Sequence, residues 1–562
     1  MKIRVNPCIS LAAVALALSA LTFAQTYRVA GTVLSATEGH PLAGVRLTLA
    51  DQRSRKPEQS MLTDADGHFE FLNVPAGKYP LTAARRGYIT AAYNQHENFS
   101  TAIVTGAGID TEHLTFRLAP LAQISGLVLD EHGDPVRDAR VTLWHDDHST
   151  GLSRVSHLTS DGSDDRGYYE FSSLAPGTYF LSVHAEPWYA VHPHPDAIDV
   201  DRALDVVYPT TYYSGATESE DATPILVRGG DRLQLDLHLL PVAPLHVHFH
   251  IPPEGNFATP MLFKQIFDDA DMPDGQAGQI VAPGIYEIVT APGHYKAILP
   301  QVAESLETHE VDLDLSEDNQ EVDLNAISGT DASLSLSAQT ADGSPIPTPF
   351  FALFTDAKGR RTGARIEDPQ DKLPKNLGSQ SHAPQSLDAQ PPNPRQGLIP
   401  RLHSGTYSLA AFGGNQPYAV TSITRLGANN DRSKPVPGNV LDVAPGSRLS
   451  VLLTVVAGNA TVEGVVERNG KPFDGAMVVL IPARPESNLI AFRRDQSDLD
   501  GSFGLPRITP GNYTVVAIQD GWDLDWSQPA AIARYAPHGE QVTILPNTRT
   551  IHLPTPLKLQ PK

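Results

Sequence analysis

The stretch DGHFEFLNVPAGKYPLTA (66–83) decides the fold, because close copies of it recur as DRGYYEFSSLAPGTYFLSV (165–183) and DGSFGLPRITPGNYTVVA (500–517). An enzyme's active-site loop is normally written once, so three copies in one chain mark a repeated building block. Each copy reads as turn, strand, turn, strand. The first turn is acidic: TDADG (63–67), SDDRG (163–167) and SDLDG (497–501). Asp side chains bond their own backbone in such turns, and Gly accepts a positive φ. The second turn carries Gly-x-Tyr: Gly77-Lys78-Tyr79, Gly177-Thr178-Tyr179 and Gly511-Asn512-Tyr513. A tyrosine there supplies a large ring to bury and a hydroxyl for a nearby backbone group, which suits the corner of a β-sandwich.

Upstream of each copy lies an alternating strand, a Gly/Pro turn and a second strand. These are VAGTVLSATEGHPLAGVRLTLA (29–50), ISGLVLDEHGDPVRDARVTLW (124–144) and VEGVVERNGKPFDGAMVVLIP (462–482). Period-two apolar runs around such a turn predict a hairpin with one buried face. Two weaker copies, Gly293-His294-Tyr295 and Gly405-Thr406-Tyr407, occupy the middle of the chain. Five Gly-x-Tyr corners predict an all-β tandem array of about five small antiparallel Greek-key β-sandwiches. The expected boundaries are 25–120, 121–242, 243–330, 331–457 and 458–562, each of ordinary single-domain size. Short linkers predict an extended, semi-rigid array. The Pro-rich polar segment 366–396 reads as a disordered loop inside the fourth unit.

The bulk numbers agree. A chain of 562 residues is too long for one core. Its 47 prolines and 43 glycines fit many short elements joined by turns. The formal net charge of −22, with no clustered Lys/Arg stripe, argues against nucleic acid and against anionic lipid as partners. Residues 1–24 read as a secretory signal peptide, with Lys2 and Arg4 before the apolar run 9–23 and an exit at Ala24. Fifteen apolar residues are short for a membrane span, which needs roughly 20, so no transmembrane anchor is expected after cleavage. The single cysteine, Cys8, lies in this signal and leaves the mature chain without disulfides or thiol chemistry. The expected address is exported: periplasm, cell surface or secreted.

The pattern G-x-V, G-x-P, T/S-D-x-D-G and A/P-G-x-Y resembles the carboxypeptidase regulatory-like domain in units one, two and five. That resemblance implies a transthyretin-like (prealbumin-like) β-sandwich, grouped with carbohydrate-binding-like folds, and a role in binding, adhesion or scaffolding. The zinc carboxypeptidases for which the family is named hold their metal through His-x-x-Glu, and none of the 21 histidines here is followed by Glu at that spacing. No catalytic role therefore carries over, and no cofactor is implied. No G-x-S-x-G elbow, H-E-x-x-H helix or phosphate loop appears either.

Three sets of residues are candidates for chemistry. In LHVHFH (245–250), His246, His248 and His250 share one face of a strand, the spacing by which two imidazoles reach one zinc. The bland reading is an exposed imidazole-rich face opposite inward Leu245, Val247 and Phe249. His192 and His194 form a weaker pair in a loop. The acidic turns could offer Asp64 and Asp66, or Asp498 and Asp500, to calcium, but they lack the remaining ligands of a calcium loop, and turn stabilisation is the plainer role. For sugar, Trp188, Tyr189, Tyr208, Tyr212 and Tyr213 cluster after the core strands of unit two, with Trp522 and Trp526 in the matching place of unit five. Against that stands the usual fate of large aromatics, which is burial. The expected function is a non-catalytic binding or scaffolding protein of the bacterial envelope, with a glycan or an envelope protein as partner. The alternative is an accessory or regulatory subunit of an envelope hydrolase, or a cryptic metallohydrolase.

Overall fold

The computed structural model describes residues 25–50, 59–193, 201–251, 259–267, 270–273, 278–300, 308–323, 332–356, 361–366, 396–427 and 433–562. The expected signal peptide with Cys8, His194, and the segment 366–396 apart from its two ends lie outside them. Among the described residues no helix is long and apolar enough to cross a membrane. The chain forms two compact units, one reaching Pro120 and including Asp498–Asp500, the other built from Leu121–Ser497 and Gly501–Lys562.

One pairing scheme is used five times. An opening strand lies between the strand that follows the first turn, antiparallel to it, and the last strand of the unit, parallel to it. In the first sandwich Thr26–Ser35 takes this place between His68–Pro75 and Leu114–Leu118. Ala122–Leu129 does so between Tyr168–Leu174 and the pair Arg232–Gln234 and Leu237–His238. The equivalents are Leu245–His250, Ala332–Thr340 and Ala460–Arg468. The middle two units, whose sequences match the pattern poorly, therefore keep its topology. A second sheet is built on the hairpin's other strand and the Gly-x-Tyr strand, as with Arg140–Asp147 and Gly177–His184. In the fourth unit Gln416–Arg425 bridges the two sheets into one of nine strands.

Each sandwich closes on its own apolar cluster, and the alternation read from sequence sets which residues enter it. Val29, Val33, Phe69, Phe71, Tyr79 and Leu81 fill the first core. Ile124, Val128, Tyr169, Phe171, Tyr179 and Leu181 repeat the arrangement in the second. All five corner tyrosines are buried, and each donates its hydroxyl to the carbonyl four residues back. Tyr79 bonds Pro75 at 3.0 Å, Tyr179 bonds Ala175 at 2.8 Å, Tyr295 bonds Ala291 at 2.9 Å, Tyr407 bonds His403 at 2.8 Å and Tyr513 bonds Thr509 at 2.9 Å. The ring anchors the strand in the core while its hydroxyl satisfies the turn that precedes it.

The acidic turn has the same kind of explanation. Asp64 Oδ1 accepts the N–H groups of Asp66 and His68, both at 2.9 Å. Asp164 Oδ1 does the same for Arg166 at 2.9 Å and Tyr168 at 2.8 Å, and these N–H groups of Tyr168 and Arg166 hold its carboxyl below the ordinary range. Turn geometry thus accounts for the aspartates. The hydroxyl residue before them does more. Ser163 is buried, donates to Val136 O at 2.7 Å and accepts from Ala139 N at 2.9 Å, stitching the acidic turn to the opening hairpin. Thr63 and Ser497 repeat both bonds with Leu42 and Val45, and with Phe473 and Ala476. Ser163→Ala leaves one buried donor and one buried acceptor unpaired. It is expected to destabilise the second sandwich by about 2 kcal/mol, read as lost protection from hydrogen exchange at 136–139.

Within the larger unit the second and fifth sandwiches are neighbours. Ser153 N donates to Asp525 Oδ1 at 2.6 Å, Ser527 N to Gly151 O at 3.0 Å, and Arg494 to Ser149 O at 3.3 Å. A string of modules touching only their sequence neighbours, the arrangement that short linkers predict, would not make these bonds.

Candidate functional site

The aromatic end of the second sandwich is organised by one carboxylate. After Ala122–Leu129 the chain turns at Asp130, whose Oδ1 accepts the N–H groups of His132 and Asp134, both at 2.8 Å. This fixes Glu131 between two tyrosines brought by a later loop. Tyr189 donates its hydroxyl to Glu131 Oε1, and Tyr208 donates to Oε2 at 2.8 Å. Burial by itself would push the Glu131 carboxyl up, but these bonds outweigh it and hold the group below its ordinary value. Burial and the adjacent carboxylate push the Tyr189 hydroxyl up to about 12 and that of Tyr208 upward as well. At neutral pH the group is a carboxylate clamped by two phenols.

Trp188 stands beside it and is 88% exposed, with its ring edge-on to Tyr189 at 5.8 Å. The other aromatics grouped with it by sequence lie elsewhere. Tyr208 is 4% exposed and belongs to the second core, against which Tyr213 is partly buried. Tyr212 is wholly buried with Trp144 and Ile266 where the second and third sandwiches meet. Of the five, then, Trp188 offers a free ring face and Tyr189 an edge.

The indoles of the fifth sandwich are not a matching platform. Trp526 is 8% exposed and Trp522 half-buried, both in an apolar cluster with Met477, Val479, Ile481 and Val516. The Arg494 guanidinium lies between them, 4.5 Å from the Trp526 ring centre and 5.4 Å from that of Trp522. Met477–Pro482 is buried at every position, so its sheet needs cover on both faces, and the segment carrying the two indoles supplies the outer one. The expected correspondence between units two and five is corrected on this ground. The unbroken apolar run MVVLIP was the signal available in the sequence.

The three histidines do share one strand face, with Leu245, Val247 and Phe249 buried opposite. Each faces carboxylates that sequence reading did not place. Glu321 comes from the parallel neighbour and meets His248 Nδ1 at 3.2 Å and His250 Nε2 on its other oxygen. Glu287, only 2% exposed, comes from the antiparallel neighbour and meets His248 Nε2 at 3.1 Å. Asp318 lies 3.1 Å from His246 Nδ1, and Asp205 lies 3.4 Å from His246 Nε2 and 3.0 Å from His192 Nδ1. The acids pair with the imidazoles along the strand and do not surround a common point with them. Among the described residues, the group that brings three ligand atoms within 4.8 Å of one another is Asp130, Glu131 and His132. Its two carboxylates already hold backbone N–H groups and tyrosine hydroxyls.

No curated protein matches the chain. Among solved structures, the minor pilin GBS52 of Streptococcus agalactiae is 12% identical, with 39% of this chain and 97% of that one covered, at a TM-score of 0.20. The Bacillus anthracis TIE protein is 9% identical over 77% of this chain and 74% of its own, at 0.18. The shaft pilin SpaA of Lactobacillus rhamnosus GG is 13% identical over 39% and 99%, also at 0.18. Likeness at these values carries no argument about this chain. The first sandwich has a nearer relative: residues 28–119 match the family of the carboxypeptidase regulatory-like domain.

Proposed function

We propose that this chain is an exported, non-catalytic, multi-domain binding or scaffolding protein of the bacterial envelope, and that it takes carbohydrate at the end of its second sandwich. The observation that carries the reading is Trp188, an indole left 88% exposed beside the clamped Glu131 carboxylate. An isolated indole in water is an apolar face awaiting a partner, and a pyranose offers the complementary one. His132 and the edge of Tyr189 stand ready for hydroxyls.

The test is a screen of the mature chain, from Gln25, on a glycan array that includes peptidoglycan fragments. Trp188→Ala is expected to lower affinity for a bound glycan at least tenfold while leaving thermal stability unchanged, because the ring makes little contact with the core. Binding that survives Trp188→Ala would move the site elsewhere. An array with no hit would favour an envelope protein as the partner.

A further inference from the structure

A second site lies where the fourth and fifth sandwiches meet, and its chemistry differs from that of the Trp188 surface. A crevice of about 330 Å³ opens there, a size that accommodates a small ligand at a domain junction. One wall is the outer face of Gly405–Gly413, where Ser408, Ala410 and Phe412 alternate with the core residues Tyr407, Leu409 and Ala411. The opposite wall is the 482–493 segment and the Gly-x-Tyr corner of the fifth sandwich.

The crevice is cationic in a protein of net charge −22. Arg484 and Arg493 line it, and no aspartate or glutamate does. Arg493 is held rigidly. Its Nη1 donates to Ile490 O at 2.8 Å and Phe492 O at 2.6 Å, and its Nη2 to Arg507 O at 3.3 Å. A guanidinium has five N–H donors. Two of them, Nε–H and one on Nη2, have no acceptor among the described residues, and no carboxylate there pairs with the charge. Burial pushes the guanidinium below its ordinary value, opposed by Tyr513 and reinforced by Arg507, and among the described residues this partly desolvated cation has no counter-ion. Around it the lining is neutral and hydrogen-bonding, with Asn439 and Asn488 joined at 3.0 Å and Asn512 close by.

We propose that this crevice binds a sugar acid, a ligand with one carboxylate for Arg493 and several hydroxyls for the asparagine side chains. One fixed guanidinium matches a monoanion and does not assemble the cluster of cations that a phosphate dianion would draw. The site stands independently of the Trp188 surface.

The probes are D-glucuronate, its neutral counterpart D-glucose, and inorganic phosphate, each titrated against the mature chain by saturation-transfer NMR. Glucuronate is expected to bind at least tenfold more tightly than either of the others. Ala410→Trp, which fills the crevice from an outward-facing position, is expected to abolish that binding, and Arg493→Gln to weaken it at least tenfold. Arg493 also ties down three carbonyls, so should Arg493→Gln fail to fold, Ala410→Trp decides alone. Trp188→Ala is expected to leave glucuronate binding intact, which separates this site from the other. Equal binding of glucose and glucuronate, equal binding of phosphate, or glucuronate binding that survives Ala410→Trp would each overturn the proposal.

Discussion

Replacing Gly31 by alanine is expected to unfold the first sandwich. Gly31 pairs with Leu114 in the parallel ladder that closes the sheet. A Cβ added there would lie 2.1 Å from Leu114 O, 2.8 Å from its carbonyl carbon and 2.9 Å from its Cβ. The obstruction is backbone, not the end of a flexible side chain, so relief means parting Thr26–Ser35 from Leu114–Leu118. We expect a loss of about 3 kcal/mol or more, beyond ordinary overpacking. Gly126 is in the same position in the second sandwich, with Leu235 O at 2.0 Å. At Gly464 the nearest atom is the Phe503 ring at 2.7 Å, which can turn aside, and the effect there should be smaller. Hydrogen exchange on the chain from Gln25 reads this directly, because a single melting point is ill-defined for several cores. Protection should vanish across 26–35 and 114–118 while the fourth core keeps it. Undisturbed protection in Gly31→Ala would mean that the strands do not close this way.

The second large effect is expected from Trp526→Ala. The ring packs edge-on against Phe492 at 6.1 Å and on its face against the Arg494 guanidinium. Its removal opens a cavity on the outer face of Met477–Pro482 and unstacks a partly buried cation. Aromatic truncations of this kind cost about 3–5 kcal/mol. Because Ser527 and Asp525 also bond the 149–153 loop, slower unfolding should be lost in the second sandwich as well as the fifth. Trp188→Ala, the same substitution at 88% exposure, should leave both unchanged. If the two variants proved equally stable, the assignment of Trp526 to a core would be wrong.

Much of this fold is written locally. The corner tyrosines, the hydroxyl before each acidic turn and the glycine that ends it act on residues within a few positions, or on the facing hairpin, so their spacing in the chain carries their role. Gly67, Gly167 and Gly501 show it well: each has φ between +72° and +76°, and a Cβ would meet Val33 O, Val128 O or Val466 O at 2.6–2.8 Å. The alternation of Leu245, Val247 and Phe249 likewise told which face is core. The third unit matched poorly because it lacks the acidic turn and a clear opening hairpin, yet strand pairing does not depend on that turn.

The candidate sites were less legible. Trp188 and Tyr208 lie twenty residues apart in one aromatic-rich segment, and nothing in their flanking residues distinguishes the exposed ring from the buried one. The acids facing the histidine strand come from 39 to 73 residues away along the chain. Arg493 resembles any arginine until its neighbours prove to be carbonyls and amides. By itself the sequence determined the sandwich, its repetition and the residues of each turn, because those follow from periodicity and from bonds closed over short loops. Tertiary structure alone decided which aromatics meet water, which carboxylate meets which imidazole, and which cation lacks an anion. Those outcomes depend on burial and on through-space charge, and both are set by strands distant in sequence.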